Sequence, residues 1–120
     1  MDLNGQLTAL NRAVALERLG GDEELLREIA GLFLEDTQEL VEEIRRAAYA
    51  RDAAALQRAA HTLKGSVGNF GAEGTFEAAY QLEKMGRSGD LTGVEDAVLR
   101  LGAELDRLTP ALTAIRSEAS

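Results

Sequence analysis

The sequence contains no cysteine and no tryptophan, and only one proline and one histidine. The missing thiols exclude disulfides, thiolate metal sites and cysteine nucleophiles together. With a single histidine there is no second imidazole for a histidine-based metal site, and no serine or cysteine triad can be assembled by sequence pattern. Aromatic residues are few, three Phe and two Tyr, and β-branched residues are also scarce, which disfavours strands. No apolar run approaches the roughly 20 residues needed to span a bilayer. The N-terminus lacks the basic-then-apolar order of a signal peptide. Basic residues are outnumbered 13 to 21 by acidic ones, giving a net charge of −8. That balance repels nucleic acid and anionic membrane surfaces and makes a protein the expected partner. A Gly-rich phosphate loop and a GxGxxG after a strand are both absent, so no ATP site is legible.

What is present is helix-forming. The 120 residues are 45% hydrophobic and 28% charged, the profile of one folded domain dominated by Ala, Leu, Glu and Arg. Residues 1–120 are therefore read as a single all-α domain. Leu3, Leu7, Leu10 and Val14 recur at steps of three and four and predict a first helix over about 6–19, ended by Gly20 and Gly21. Asp22 can cap a second helix, 22–49, in which Leu25, Ile29, Leu32, Phe33, Leu40, Ile44 and Ala47 form the apolar stripe. Asp52 can cap a third, 52–69, burying Leu56, Ala59, Ala60, Leu63 and Val67 before Gly65, Gly68 and Gly71 weaken it. A fourth spans 72–87. The last, 91–116, carries Leu91, Val94, Val98, Leu101, Leu105, Leu108, Leu112 and Ile115, with Pro110 expected to kink or split it. Short connections make antiparallel neighbours, so an up-and-down four-helix bundle with an additional N-terminal helix is predicted. The closing heptads could serve a dimer seam. Core packing is the preferred reading, since the other helices need a surface to pack on, and a monomer follows.

The lone histidine is the one candidate for chemistry. On a helical wheel His61 falls about 140° from Leu56 and about 160° from Leu63, which turns it outward. It is then either an ordinary exposed histidine or a reactive one. Lys64, Gly65 and Gly68 share its face at +3, +4 and +7, with Gln57 and Arg58 one turn before. Each interior glycine costs roughly 1 kcal/mol relative to alanine. Two of them beside the only imidazole suit close approach by another protein, although they could also admit a neighbouring helix or mark a frayed end. Glu83 and Arg87 fall within or at the edge of the apolar arc that Phe76, Ala79 and Leu82 define on the fourth helix. They could satisfy one another at i, i+4, or Glu83 could reach a ring nitrogen of His61, fixing its tautomer and leaving the other nitrogen free. A neutral imidazole is a nucleophile without any hydrolase-type base, and phosphoryl transfer asks mainly for positioning and charge stabilisation, which Lys64 and Arg87 could supply.

The segment AHTLKGSVGNFGA, Ala60 to Ala72, closely resembles the signature of histidine phosphotransfer domains from bacterial multistep phosphorelays. RLGGDEELLREIAGLFLED ahead of it and LEKMGRSGDL behind it extend the resemblance over nearly the whole chain, and the closing segment is similar to the hybrid sensor kinase type. The resemblance implies that His61 is the phosphorylated residue, with Nε2 as acceptor. It implies that Lys64 assists near the phosphoryl group and that Gly65 leaves room for the partner. Glu83 and Arg87 stand where some members place a polar residue against the ring and a basic residue nearby. Gln57 and Gly68 are carried as supporting residues from their shared face. The implied partners are response-regulator receiver domains, and a hybrid histidine kinase in cis or trans. Magnesium belongs to the receiver, and the domain itself is a phosphocarrier without catalysis or cofactor of its own. A cytoplasmic location, free or tethered through a parent kinase, is the corresponding expectation. The alternative is a helical scaffold that binds receivers or kinases without being phosphorylated.

Overall fold

The computed structural model describes residues 10–118, and the expected helical turn over 6–9, with Leu3 and Leu7, lies outside them. Among the described residues five helices form: α1 Arg12–Arg18, α2 Glu23–Ala50, α3 Ala53–Gly68, α4 Glu73–Ser88 and α5 Val94–Arg116. Their starts follow the local chemistry. Asn11, Asp22 and Asp52 each hold an extended backbone, and their side chains accept from the N–H three residues on, at Val14, Leu25 and Ala55. Such a bond satisfies one of the orphaned donors of a first turn and is worth about 1 kcal/mol. The Asn11 cap also corrects the first predicted helix. Helix does not run through Leu10 and Asn11. The Asn11 N–H instead donates to the Phe70 carbonyl at 3.1 Å and ties the chain to the far end of α3.

The α2–α3 connection is only Arg51 and Asp52, with Arg51 in the left-handed region at φ 57°. So short a link forces antiparallel neighbours. Contacts run α2 to α3, α3 to α4, α4 to α5 and α5 back to α2, while α1 touches α2. This closed ring of neighbours is a four-helix bundle with an additional N-terminal helix, as expected. Its core holds Leu26, Ile44, Leu56, Leu63, Val67, Leu82, Leu101, Leu108 and Leu112. Phe33 and Phe70 meet edge to face at 5.5 Å at the end where α1 is tied down. Every residue predicted for the buried side of α3 is buried. The heptad positions of α5 from Leu101 to Ile115 are buried too, so they belong to this core.

Several expectations are corrected. Leu25 and Leu32 are exposed, and Leu26 and Ala30 take the core side of α2 in their place. Leu26, Ala30 and Phe33 are buried at the same levels of α2, so Leu25 and Leu32 are exposed because they lie to one side of the face that α3 and α5 cover. Pro110 does not split α5, which is continuous from Val94 to Arg116. It stands on the exposed face, where the carbonyl left without a donor is open to water, while Leu108 and Leu112 on either side are buried. Leu91 precedes the last helix and does not open it, because Asp90 Oδ1 accepts from the Thr92 N–H and Gly93, at φ 79°, forms the cap. Gly86 lies inside α4. A Cβ there would sit 2.6 Å from the Gln57 nitrogen and 2.7 Å from the Ala53 carbonyl oxygen, so α3 and α4 touch backbone to backbone at this point.

Candidate functional site

That close approach brings the His61 face of α3 over the Glu83 face of α4. The two side chains are 22 residues apart in sequence, yet His61 Nδ1 lies 2.9 Å from Glu83 Oε2. The ring is 67% exposed and the carboxylate 3%, so a surface imidazole rests on a buried anion. Among the described residues Glu83 is the one charged side chain the fold buries. A lone buried carboxylate would be prohibitive. Here Lys64 Nζ forms an ion pair with Oε1 at 2.7 Å, and Arg87 Nη2 donates to Oε2 at 2.9 Å.

These contacts fix the proton on His61. Burial alone would raise the Glu83 carboxyl, but hydrogen bonds from Lys64 and His61, reinforced by their charges, bring it below the ordinary glutamate value. Glu83 is therefore an anion at neutral pH and can only accept. Nδ1 must carry the hydrogen, and the lone pair is left on Nε2 of a ring that is mostly exposed.

The two readings of Glu83 open in the sequence thus coexist, since the i, i+4 pair with Arg87 and the bond to His61 share one oxygen. Lys64, expected to assist near the phosphoryl group, pairs with Glu83 in the same cluster. Its ammonium lies against Glu83 and 4.9 Å from the centre of the Tyr80 ring, with the side chain only 21% exposed. It is tied to the carboxylate that orients the ring. Gly65 faces open space, with nothing within 4 Å of where a Cβ would be, whereas a Cβ at Gly68 would meet the Phe76 ring at 3.9 Å. The packing role considered for these glycines therefore does not apply to Gly65 and amounts to ordinary contact at Gly68. Gln57 is half-buried at the α3–α4 seam, its backbone against Gly86.

Sequence reasoning missed Tyr80 and Lys84. The Tyr80 ring lies between Lys64 and Lys84, whose Nζ is 4.6 Å from the ring centre, and it tilts against Phe76. The spacing of Tyr80 and Lys84, i and i+4 beside Glu83, was the available signal. Missed as well was Gly86, whose bareness sets the distance between the helices. Among the described residues no cluster of three or more His, Asp or Glu could hold a metal ion. No described helix is long and apolar enough to cross a membrane.

Comparisons with known proteins place the fold. The fold is similar to that of histidine-containing phosphotransfer protein B from Pseudomonas aeruginosa PAO1, with a TM-score of 0.84 and 23% identity over 92% of this chain and 96% of the other. It is equally similar to the HPT domain of a sensor hybrid histidine kinase from Shewanella, with a TM-score of 0.84 and 24% identity over 95% of this chain and 98% of that one. At such identities the likeness speaks for the fold. Among curated proteins none matches the chain at a significant level. The family model of the Hpt domain, however, matches residues 28–111, which hold α3, α4 and the whole His61 cluster. On that match the chain belongs to the Hpt domain family and serves histidine phosphotransfer in a phosphorelay.

Proposed function

We propose that His61 is the phosphoryl carrier, taking the group on Nε2 from the aspartyl phosphate of a receiver domain and passing it to the aspartate of another. The observation that supports this most directly is the ring held by Glu83 through Nδ1 at 2.9 Å while remaining 67% exposed. Such an imidazole keeps one nucleophilic nitrogen, in one tautomer, facing the solvent. Gly65 leaves the surface one turn further on bare, so the rim of a receiver's active site can close on the ring.

In this reading Glu83 orients the imidazole, and Lys64 and Arg87 make the buried carboxylate tolerable while holding positive charge beside the arriving phosphoryl group. Gly65 keeps the approach open, Gly68 is a supporting residue where a Cβ would already meet the Phe76 ring, and Gln57 supports the seam beneath. The domain is a carrier and not an independent catalyst. The magnesium that phosphoryl transfer from aspartate calls on is assigned to the receiver. Receivers, with a hybrid histidine kinase in cis or trans, are the partners, and the cytoplasm is the compartment where they would meet.

The test is incubation of the full chain with a receiver charged by acetyl phosphate. Phosphate that is acid-labile and alkali-stable should appear on the wild type and be absent from His61→Gln. Label that persists in that variant overturns the assignment. Receiver binding without any transferred phosphate would favour a scaffold.

A further inference from the structure

A neutral acceptor, such as an amide oxygen, is enough to fix the tautomer of a histidine. The fold nevertheless places a buried carboxylate on Nδ1, the more expensive choice because its charge must be desolvated. Its added value should lie in the state where the ring itself is charged, and that state arises during the reaction.

The electron balance shows where. The Nε2 lone pair forms the N–P bond as the P–O bond to the receiver's aspartyl oxygen breaks, and the electron pair of the broken bond leaves with the receiver's carboxylate. The ring now carries phosphorus on Nε2 and hydrogen on Nδ1, so it is an imidazolium, and no proton has moved. The return step is the reverse, and the leaving group is neutral imidazole. If the Nδ1 proton has been lost in between, the ring must leave phosphorus as an imidazolide anion, a far poorer leaving group.

Resting on the assignment of His61 as the acceptor, we infer that Glu83 keeps the Nδ1 proton on phospho-His61 throughout the cycle, so that the carrier stays ready to donate across neutral and mildly alkaline pH. The charged groups on Glu83 come from both helices that enclose it: His61 and Lys64 from α3 and Arg87 from α4. Lys84 of α4 lies one step away across the Tyr80 ring. From α5, Glu104 reaches α4 at Gly74, about two and a half turns from Glu83. Arg87 acts against the ring, since it takes a share of the oxygen that holds Nδ1–H. Glu83 and Arg87 are thus positioning residues with opposite signs. The carboxylate holds the proton and the guanidinium loosens it.

The experiment loads the full chain with potassium phosphoramidate, a chemical donor that needs no receiver, and follows the ring nitrogens of phospho-His61 by nitrogen-15 NMR from about pH 6 to about pH 10. Glu83→Gln should lower the midpoint of the ring titration by about 1 to 3 pH units, the usual effect of losing an adjacent opposite charge. Above the lowered midpoint its transfer to a receiver should fall about tenfold per pH unit, since each unit removes nine-tenths of the protonated ring. Arg87→Gln should raise the midpoint. Coincident titrations of wild type and Glu83→Gln, or a shift of both variants in the same direction, overturn the inference. Should Glu83→Gln fail to fold, the sign of the Arg87→Gln shift decides alone. A loaded wild type that gives nothing to any receiver would instead refute the carrier assignment, and the ring titration would remain readable.

Discussion

Gly65→Ala and Gly86→Ala make the same chemical change on neighbouring helices, and the structure assigns them opposite outcomes. At Gly65 a new methyl meets nothing within 4 Å, so the remaining effect on the fold is helix propensity. That favours alanine by about 0.5–1 kcal/mol in a helix interior. For a domain of this size the melting temperature should rise by about 2–4 °C. At Gly86 the methyl would stand 2.6 Å from the Gln57 nitrogen, 2.7 Å from the Ala53 carbonyl oxygen and 2.9 Å from the Gln57 Cα. All three are backbone atoms, which cannot swing aside as a side-chain end can. The helices must separate and loosen the buried layer of Leu56, Leu63, Ala79 and Leu82. Overpacking of this kind costs about 1–3 kcal/mol, and it would also carry Glu83 away from His61. Urea unfolding followed by circular dichroism reads the stabilities, and transfer from a charged receiver reads the function. Gly65→Gln extends the test, because it should keep the fold while slowing transfer about tenfold or more, roughly 1.4 kcal/mol of lost access. If Gly65→Ala destabilises the protein, or Gly65→Gln transfers at the wild-type rate, the claim that this glycine serves the partner is wrong.

Two further outcomes follow from the same coordinates. Pro110→Ala should stabilise the domain by about 1–2 kcal/mol, the roughly 3 kcal/mol interior-helix penalty reduced by strain already accommodated and by the greater freedom of the unfolded chain. A lower urea midpoint would mean that α5 needs the proline. The acid limb of stability should depend on Glu83, whose carboxyl lies below its ordinary value of 4.5 when folded. A depressed folded-state carboxyl contributes stability that is fully present above the unfolded value and is lost as pH falls through the folded one. Urea midpoints should therefore be steady above about pH 5 and decline below it, more gently in Glu83→Gln. Asp90, lowered by its hydrogen bonds from Thr92, adds to the decline in both proteins, and identical acid limbs would remove Glu83 from the account.

The chain itself determined whatever depends on neighbours within a few residues. Asp22 and Asp52 start helices because a short acceptor side chain can reach the N–H three positions on, whatever the rest of the protein does. The outward turn of His61 is likewise set by the helical period relative to Leu56 and Leu63, and the bare face beside it by glycines at +4 and +7. Period, however, says which face of one helix is apolar and not which side chain of the next helix stands across from it. Only the packing of α3 on α4, close because Gly86 has no side chain, decided that one carboxylate serves His61, Lys64 and Arg87 together. It also put Lys64 against that carboxylate and the Tyr80 ring, a position its place in the motif did not convey. The exposure of Leu25 and Leu32 belongs to the same class, since which flank of an apolar stripe is covered depends on where the neighbouring helices lie.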